Sequence, residues 1–355
     1  MFKARPIAIA VVIAALGGGG ASVAEALQAT PQSGQSAGPE AGRFLGTFLQ
    51  LTQAHYEWDR AQWTRLFGYF RELGLEELIV QWALLDEVAF YRSRQFPAGD
   101  GRGSWNPPIE TILELADEAG LRVRIGLAAS SDYWQVVSEH PELVEVQMAR
   151  LYLRSLAVAE ELVDTLTAHS SFHGWYITEE IDDQTWAEPE RRETLVDYLS
   201  LLSMRLKELA PAASVSVSGF SNAFLDLTGL SAFWGELLDA AAVDTVLFQD
   251  GIGAGKLELR ELPLYLDAVR RTTQERSRRF QVIVEIFEQT GGPPIDDGPF
   301  TAEPAAFDDV LEQPRVASEF AGDGVIAFSI PEYLNPLRGA DAAQRYEQYL
   351  RYLKP

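Results

Sequence analysis

Gly174-Trp175-Tyr176-Ile177-Thr178-Glu179-Glu180 is an apolar run that stops on carboxylates, and Phe280-Gln281-Val282-Ile283-Val284-Glu285 repeats the pattern further along the chain. Both runs are short and rich in aromatic and branched residues, the composition of a parallel strand buried on both faces. Side chains alternate along a strand. With Trp175 and Ile177 packed outward, Tyr176, Thr178 and Glu180 face the opposite way and Glu179 lies on the wall beside them. The same alternation turns Ile283 and Glu285 one way and Val282 and Val284 the other. Glu180 and Glu285 are therefore the two carboxylates expected to meet if these strands belong to one closed sheet.

Outward from these runs, the chain alternates short apolar segments with longer amphipathic ones eight times. The expected strands are Phe44–Gln50, Leu78–Trp82, Val123–Leu127, Trp175–Glu180, Ser214–Gly219, Val243–Gln249, Phe280–Ile286 and Val325–Ile330. The expected helices are Arg60–Leu73, Pro108–Ala119, Pro141–Leu166, Pro189–Leu209, Phe233–Ala241, Leu259–Ser277, Ala305–Phe320 and Asp341–Leu353. Gly74 and Gly120 mark helix ends, and Pro108 suits a first turn. Strand then helix, repeated eight times, predicts a single-domain (β/α)8 TIM barrel over residues 43–355. The competing open, doubly wound sheet would place a glycine-rich phosphate loop after its first strand, and none is present. Long segments follow strands two (Leu84 to Pro107) and seven (Phe287 to Glu303), whereas the turns after helices are tight, as a cleft at the C-terminal ends of the strands requires.

The N-terminus reads differently. Lys3 and Arg5, an apolar run from Pro6 to Leu16, and Ala24-Glu25-Ala26 predict a signal peptide over residues 1–26, too short for a membrane span. Residues 27–42 are rich in Ser, Gly, Pro, Gln and Ala and are expected to be a flexible linker. The protein is thus expected to be exported, to the periplasm or the medium, with no membrane insertion after cleavage. The chain has no cysteine, and a barrel of this size needs no disulfide to bury a core. A net charge of −23 spread along the chain disfavours nucleic acid and anionic membranes as partners. Nothing in the sequence sets the oligomeric state.

Two carboxylates about 5–5.5 Å apart across a barrel mouth can hydrolyse a glycosidic bond with retention. One takes a raised pKa and donates a proton; the other attacks as an anion. Polar strand ends at Gln50, Gln81, Gln249 and Asp250 suit vicinal hydroxyls, because amides and carboxylates bond in two directions. Trp82, Trp105 and Trp134, with Tyr333 after the last strand, offer flat faces for the C–H surfaces of sugar rings. Glu179 joins this set as a wall residue. The expected partner is a poly- or oligosaccharide, and the chemistry calls for no cofactor.

Rival chemistries have weaker signatures. Glu180, Asp182, Asp183 and Asp250 could be imagined around a hard cation, but strands three and five end without the carboxylates that such a barrel site uses. The four histidines show no ligand spacing, and no G-x-S-x-G nucleophile elbow is present. A carbohydrate-binding barrel without turnover is the alternative.

GWYITEE resembles the W-x-x-x-N-E strand ending of retaining TIM-barrel glycosidases, and VIVEIFE is similar to their strand-seven segment. The resemblance implies Glu180 as acid/base and Glu285 as nucleophile. Glu179 stands where that pattern has the Asn that typically contacts the sugar 2-hydroxyl, which leaves the choice between Glu179 and Glu180 as acid/base open. Over nearly the whole chain after residue 43, FLQLTQAHYEWDRAQW, LIVQWA, GWYITEEID, LFQDGIG and IAFSIPEYLNP resemble a bacterial family of glycoside-hydrolase-like TIM barrels, domain of unknown function 4434.

Overall fold

The computed structural model describes residues 42–97, 107–296 and 298–354. The expected leader, all but the last residue of the expected linker, and Trp105 lie outside these residues. Eight parallel strands close into a barrel: β1 Gly46–Leu49, β2 Glu77–Val80, β3 Arg122–Gly126, β4 Phe172–Asp182, β5 Ser214–Phe220, β6 Thr245–Gln249, β7 Arg279–Glu285 and β8 Val325–Phe328, with β8 pairing back onto β1. The helices that cover it are α1 Arg60–Leu73, α2 Pro108–Ala119, α3 Val144–Thr167, α4 Pro189–Leu209, α5 Leu227–Ala240, α6 Leu262–Glu275, α7 Phe307–Ser318 and α8 Ala340–Leu353. The TIM barrel expected from the sequence is therefore the fold. Among the described residues no helix is long and apolar enough to cross a membrane.

Local chemistry sets the helix limits. Asp59 caps α1 by accepting the Gln62 amide, and Gly74 ends it with φ of +67°, a left-handed turn that glycine adopts without a Cβ clash. Pro108 and Pro189 open α2 and α4 at first-turn positions, where a missing N–H costs nothing. The third expected helix begins with a 3-10 turn, Pro141–Leu143, before α3 proper. The largest boundary difference is α5, which starts at Leu227 rather than Phe233. Asp226 accepts the Gly229 amide at 2.7 Å and nucleates a turn and a half before the apolar periodicity begins.

Between sheet and helices lies a continuous apolar shell that includes the fully buried Trp63, Trp175, Trp186 and Trp234. Inside the barrel a separate belt of Phe48, Ile79, Tyr176, Leu247, Ile283 and Ile326 fills the waist. Burying each such side chain is worth roughly 1.5–3 kcal/mol. Below this belt, Glu77 on β2, Arg124 on β3 and Gln281 on β7 form a polar floor. Above it, the strands end on the polar residues of the mouth.

Insertions after the strands build the rim. The segment after β2 holds short strands Leu84–Leu85 and Val88–Ala89, the first of which pairs with Ala128–Ala129 beyond β3. A short helix, Tyr133–Glu139, follows β3. The hairpin Phe287–Gly291 and Thr301–Pro304 follows β7.

Candidate active site

Strand β4 carries an irregularity that decides where its carboxylates go. From Ile177 to Ile181 it advances four residues, while β5 advances two, from Val217 to Gly219. Two extra residues, an even number, widen the strand and leave its inside–outside alternation intact beyond the bulge. Glu179 turns outward: its Oε2 accepts from the hydroxyl of Tyr198 on α4 at 2.5 Å, and its Oε1 accepts from Thr178 Oγ1 at 3.0 Å. Glu180 turns inward, and its Oε1 accepts from Gln249 Nε2 on β6 at 2.7 Å. Its backbone carbonyl accepts from the Tyr133 hydroxyl at 3.1 Å, which ties the strand end to the helix after β3.

At the end of β7, Glu285 is held by the glycine-rich loop that follows β6, Asp250-Gly-Ile-Gly-Ala-Gly-Lys256. Gly251 and Gly255 take left-handed backbone angles, φ +65° and +64°. Gly253 is needed for space rather than for its backbone angle. A Cβ there would lie 2.4 Å from the Phe287 carbonyl oxygen and 2.9 Å from Glu285 Cβ, so only glycine allows the loop to lie this close. The close approach permits a 2.8 Å hydrogen bond from the Ala254 amide to Glu285 Oε2.

Glu180 and Glu285 line one cleft, of about 1090 Å³ including its open side, at the C-terminal end of the barrel. Both side chains are nearly inaccessible, and burial pushes each carboxyl up to about 7. For Glu180, hydrogen bonds from Gln249 and Trp134 oppose the rise. For Glu285, the charge of Glu180 adds to it, while the Ala254 amide and the Lys256 ammonium oppose it. Burial likewise raises Glu179 to about 7, against the hydrogen bonds from Tyr198 and Thr178. Lys256, the lysine on the cleft wall, is brought down to about 8 by burial, with its Nζ 5.9 Å from the centre of the Phe220 ring.

Of the residues the sequence singled out for sugar contact, Gln50, Gln81, Trp82, Trp134, Gln249 and Tyr333 line the same cleft; Glu179 adds to its wall, but its carboxylate is turned away to Tyr198 and Thr178. Trp82 is fixed there by donating to the Leu51 carbonyl at 2.8 Å. Gln81 also lines the cleft, and its Oε1 is buried without a hydrogen-bond partner among the described residues. Asp250 is a correction. It is fully buried and absent from the cleft wall, and its Oδ1 accepts the amides of Glu285 and Ile252. It ties the end of β7 to the loop after β6 rather than lining the cleft. Asp182 and Asp183 also hold loops in place, accepting from the backbone amides of Gln184, Thr185, Asn222 and Leu225 and from the side chains of Ser221 and Asn222. Among the described residues no three His, Asp or Glu side chains are grouped to hold a metal ion.

Sequence reasoning missed Lys256, Phe220, Phe287 and Phe300, all on the cleft wall. Phe287 and Phe300 come from the hairpin after β7, where the length of the loop was the available signal. For Lys256 the signal was the glycine triplet just before it.

Comparison with solved structures places the fold among glycoside-hydrolase-like TIM barrels. A candidate alpha-L-fucosidase from Bacteroides thetaiotaomicron superposes with a TM-score of 0.68 and 19% identity, covering 88% of this chain and 95% of that one. The endo-beta-1,4-mannanase from Thermotoga petrophila gives a TM-score of 0.59 and 15% identity over 88% of this chain and 77% of its own. At these identities the likeness is one of fold. In sequence, the chain belongs to the family described as Domain of unknown function (DUF4434), whose profile matches residues 44–338. An uncharacterized protein of Escherichia coli K12, YbcH, is 26% identical over 247 residues, which cover 68% of this chain and 75% of that protein.

Proposed function

We propose that this protein is an exported glycoside hydrolase that cleaves a poly- or oligosaccharide with retention. One observation carries the reading: Glu180, near the end of β4, and Glu285, at the end of β7, line one aromatic-walled cleft, both raised to about 7. Their surroundings divide the roles. Glu285 receives a backbone N–H and the positive charge of Lys256, both of which favour its anion. Glu180 receives only the neutral donors Gln249 and Trp134 and would be the one to hold its proton.

In the first step a Glu285 oxygen bonds to the anomeric carbon as the glycosidic C–O bond breaks, and the Glu180 proton passes to the leaving oxygen. Esterification removes the charge at Glu285, so the Glu180 carboxylate can then take a proton from water. The water oxygen attacks the anomeric carbon, the ester bond breaks, and both carboxyls return to their starting states. Gln50, Gln81, Gln249 and the faces of Trp82, Trp134 and Tyr333 would form the sugar subsites, with Gln81 Oε1 accepting a ligand hydroxyl. Asp250 has no part in them.

A binding barrel without turnover is the second reading, and Glu179 favours it. The residue in place of the sugar-contacting Asn spends both oxygens on Tyr198 and Thr178. Purified protein tested on a glycan panel for release of reducing ends, with Glu285→Gln in parallel, separates the two. A hydrolase releases product that the variant does not; a binder retains oligosaccharide affinity in both proteins and releases none. Export rests on Met1 to Ala26, and N-terminal sequencing of the secreted protein tests it.

A further inference from the structure

The opposite end of the barrel holds a second polar cavity, of about 510 Å³ including its open side, lined by Glu77, Arg122, Arg124, His173, Arg279, Gln281 and Asp323. We propose that it is a binding site for a phosphoryl anion, in which Arg124, Arg122 and Arg279 supply the charge and the floor of the barrel supplies the cup.

Arg124 is the centre of the argument. It is 1% exposed, and one of its nitrogens pairs with Glu77 Oε1 at 2.8 Å. Its Nε and Nη1 are buried and have no hydrogen-bond partner among the described residues. A buried guanidinium with two idle nitrogens, three N–H groups between them, is costly, and acceptors in the cavity would satisfy them.

Charge points the same way. Three guanidiniums line this cavity: Arg124 pairs with Glu77 at 2.8 Å and Arg122 with Glu76, outside the lining, at 3.7 Å, which leaves Arg279 as the cation without a carboxylate in contact among the described residues. Arg279 forms no ion pair among the described residues; its Nη1 lies 3.4 Å from His173 Nε2. Burial lowers Arg124 to about 10, with Glu77 opposing the fall and Arg279 and Arg122 adding to it. Water could accept the idle N–H bonds but would leave Arg279 without an anion. His173 is held below its usual value by burial and by the same arginines, so it adds no charge near neutral pH.

The remaining detail selects the anion. Gln281 Nε2 donates to Glu77 Oε2 and to the Asp323 carbonyl, which leaves its Oε1 buried and unpartnered on the same wall. The cup therefore offers unused donors beside one unused acceptor. A hydrogen phosphate accepts through its bare oxygens and donates through its P–OH; chloride can only accept. This site is independent of the carboxylate cleft at the other end of the barrel.

Thermal unfolding in inorganic phosphate, against chloride at equal ionic strength, tests the proposal, with glycerol 3-phosphate as a second arm to tell free phosphate from a phosphate ester. The expected result is a saturable rise in Tm in the phosphate arm, in the ester arm, or in both, by up to about 50 mM ligand. Arg279→Gln and Arg122→Gln sit on the open side of the cup and leave the Arg124–Glu77 pair intact. Each should weaken the midpoint about tenfold, with Tm in chloride little changed. A rise no larger than that in chloride, or an unchanged midpoint in both variants, would overturn it.

Discussion

The two ends of this barrel bury charge in opposite ways. At the floor, Glu77 and Arg124 are 2.8 Å apart and both nearly inaccessible, so each charge has a partner. At the mouth, Glu179, Glu180 and Glu285 are as deeply buried, but none forms an ion pair among the described residues and all are raised to about 7. The floor residues lie where a barrel needs its end closed; the mouth residues lie where it opens to solvent and ligand. Matched charge holds structure together, and unmatched carboxyls poised near neutrality can move protons.

Substitutions can break that comparison, and the largest effect is expected at the mouth. Glu285→Gln or Glu180→Gln should lower the rate of reducing-end release by at least about a thousandfold while oligosaccharide affinity persists. At the floor, Arg124→Met strands Glu77 and should cost about 3–5 kcal/mol of unfolding free energy by denaturant titration. The specific activity of the folded fraction should stay near that of the parent. If Arg124→Met instead abolished turnover in folded protein, the two ends would not be separable.

A smaller effect has the opposite sign. The Glu180 carboxyl is raised from 4.5 to about 7 on folding, so its stabilising contribution is complete below pH 4.5 and is lost as pH rises through 7. Glu180→Gln should therefore be more stable than the parent by about 1–3 kcal/mol at pH 8, with the gain vanishing near pH 4.5. Gly253→Ala should push the loop from Glu285, break the Ala254 hydrogen bond and reduce kcat about ten- to a hundredfold. The finest adjustment is Trp134→Phe, which removes a donor to Glu180 and raises its pKa further. The alkaline limb of the pH–rate profile should then move up, by about half a pH unit.

Much of this architecture was legible in the residues. Gly74, Gly120, Pro108 and Pro189 mark helix limits that the structure keeps, because caps and first turns depend on a few adjacent atoms. Strand alternation brought Glu180 and Glu285 to one cleft. Asp250 was misplaced because a strand-end carboxylate reads the same whether it meets a ligand or two backbone amides. Nothing local announced the floor either: Gln281 and Glu77 are 204 residues apart, and no period links them. Lys256 was hidden by its position after the left-handed turns at Gly251 and Gly255, which decide its direction more than its own side chain does.

The widened segment of β4 has a consequence for how this chain tolerates change in length. Two neighbouring acids serve two different layers, and the only thing that assigns them is whether the count of added residues is odd or even. Loss of one residue between Ile177 and Glu179 would swap their addresses, delivering Glu179 to the cleft and Glu180 to Tyr198, with both carboxylates still present at the strand end.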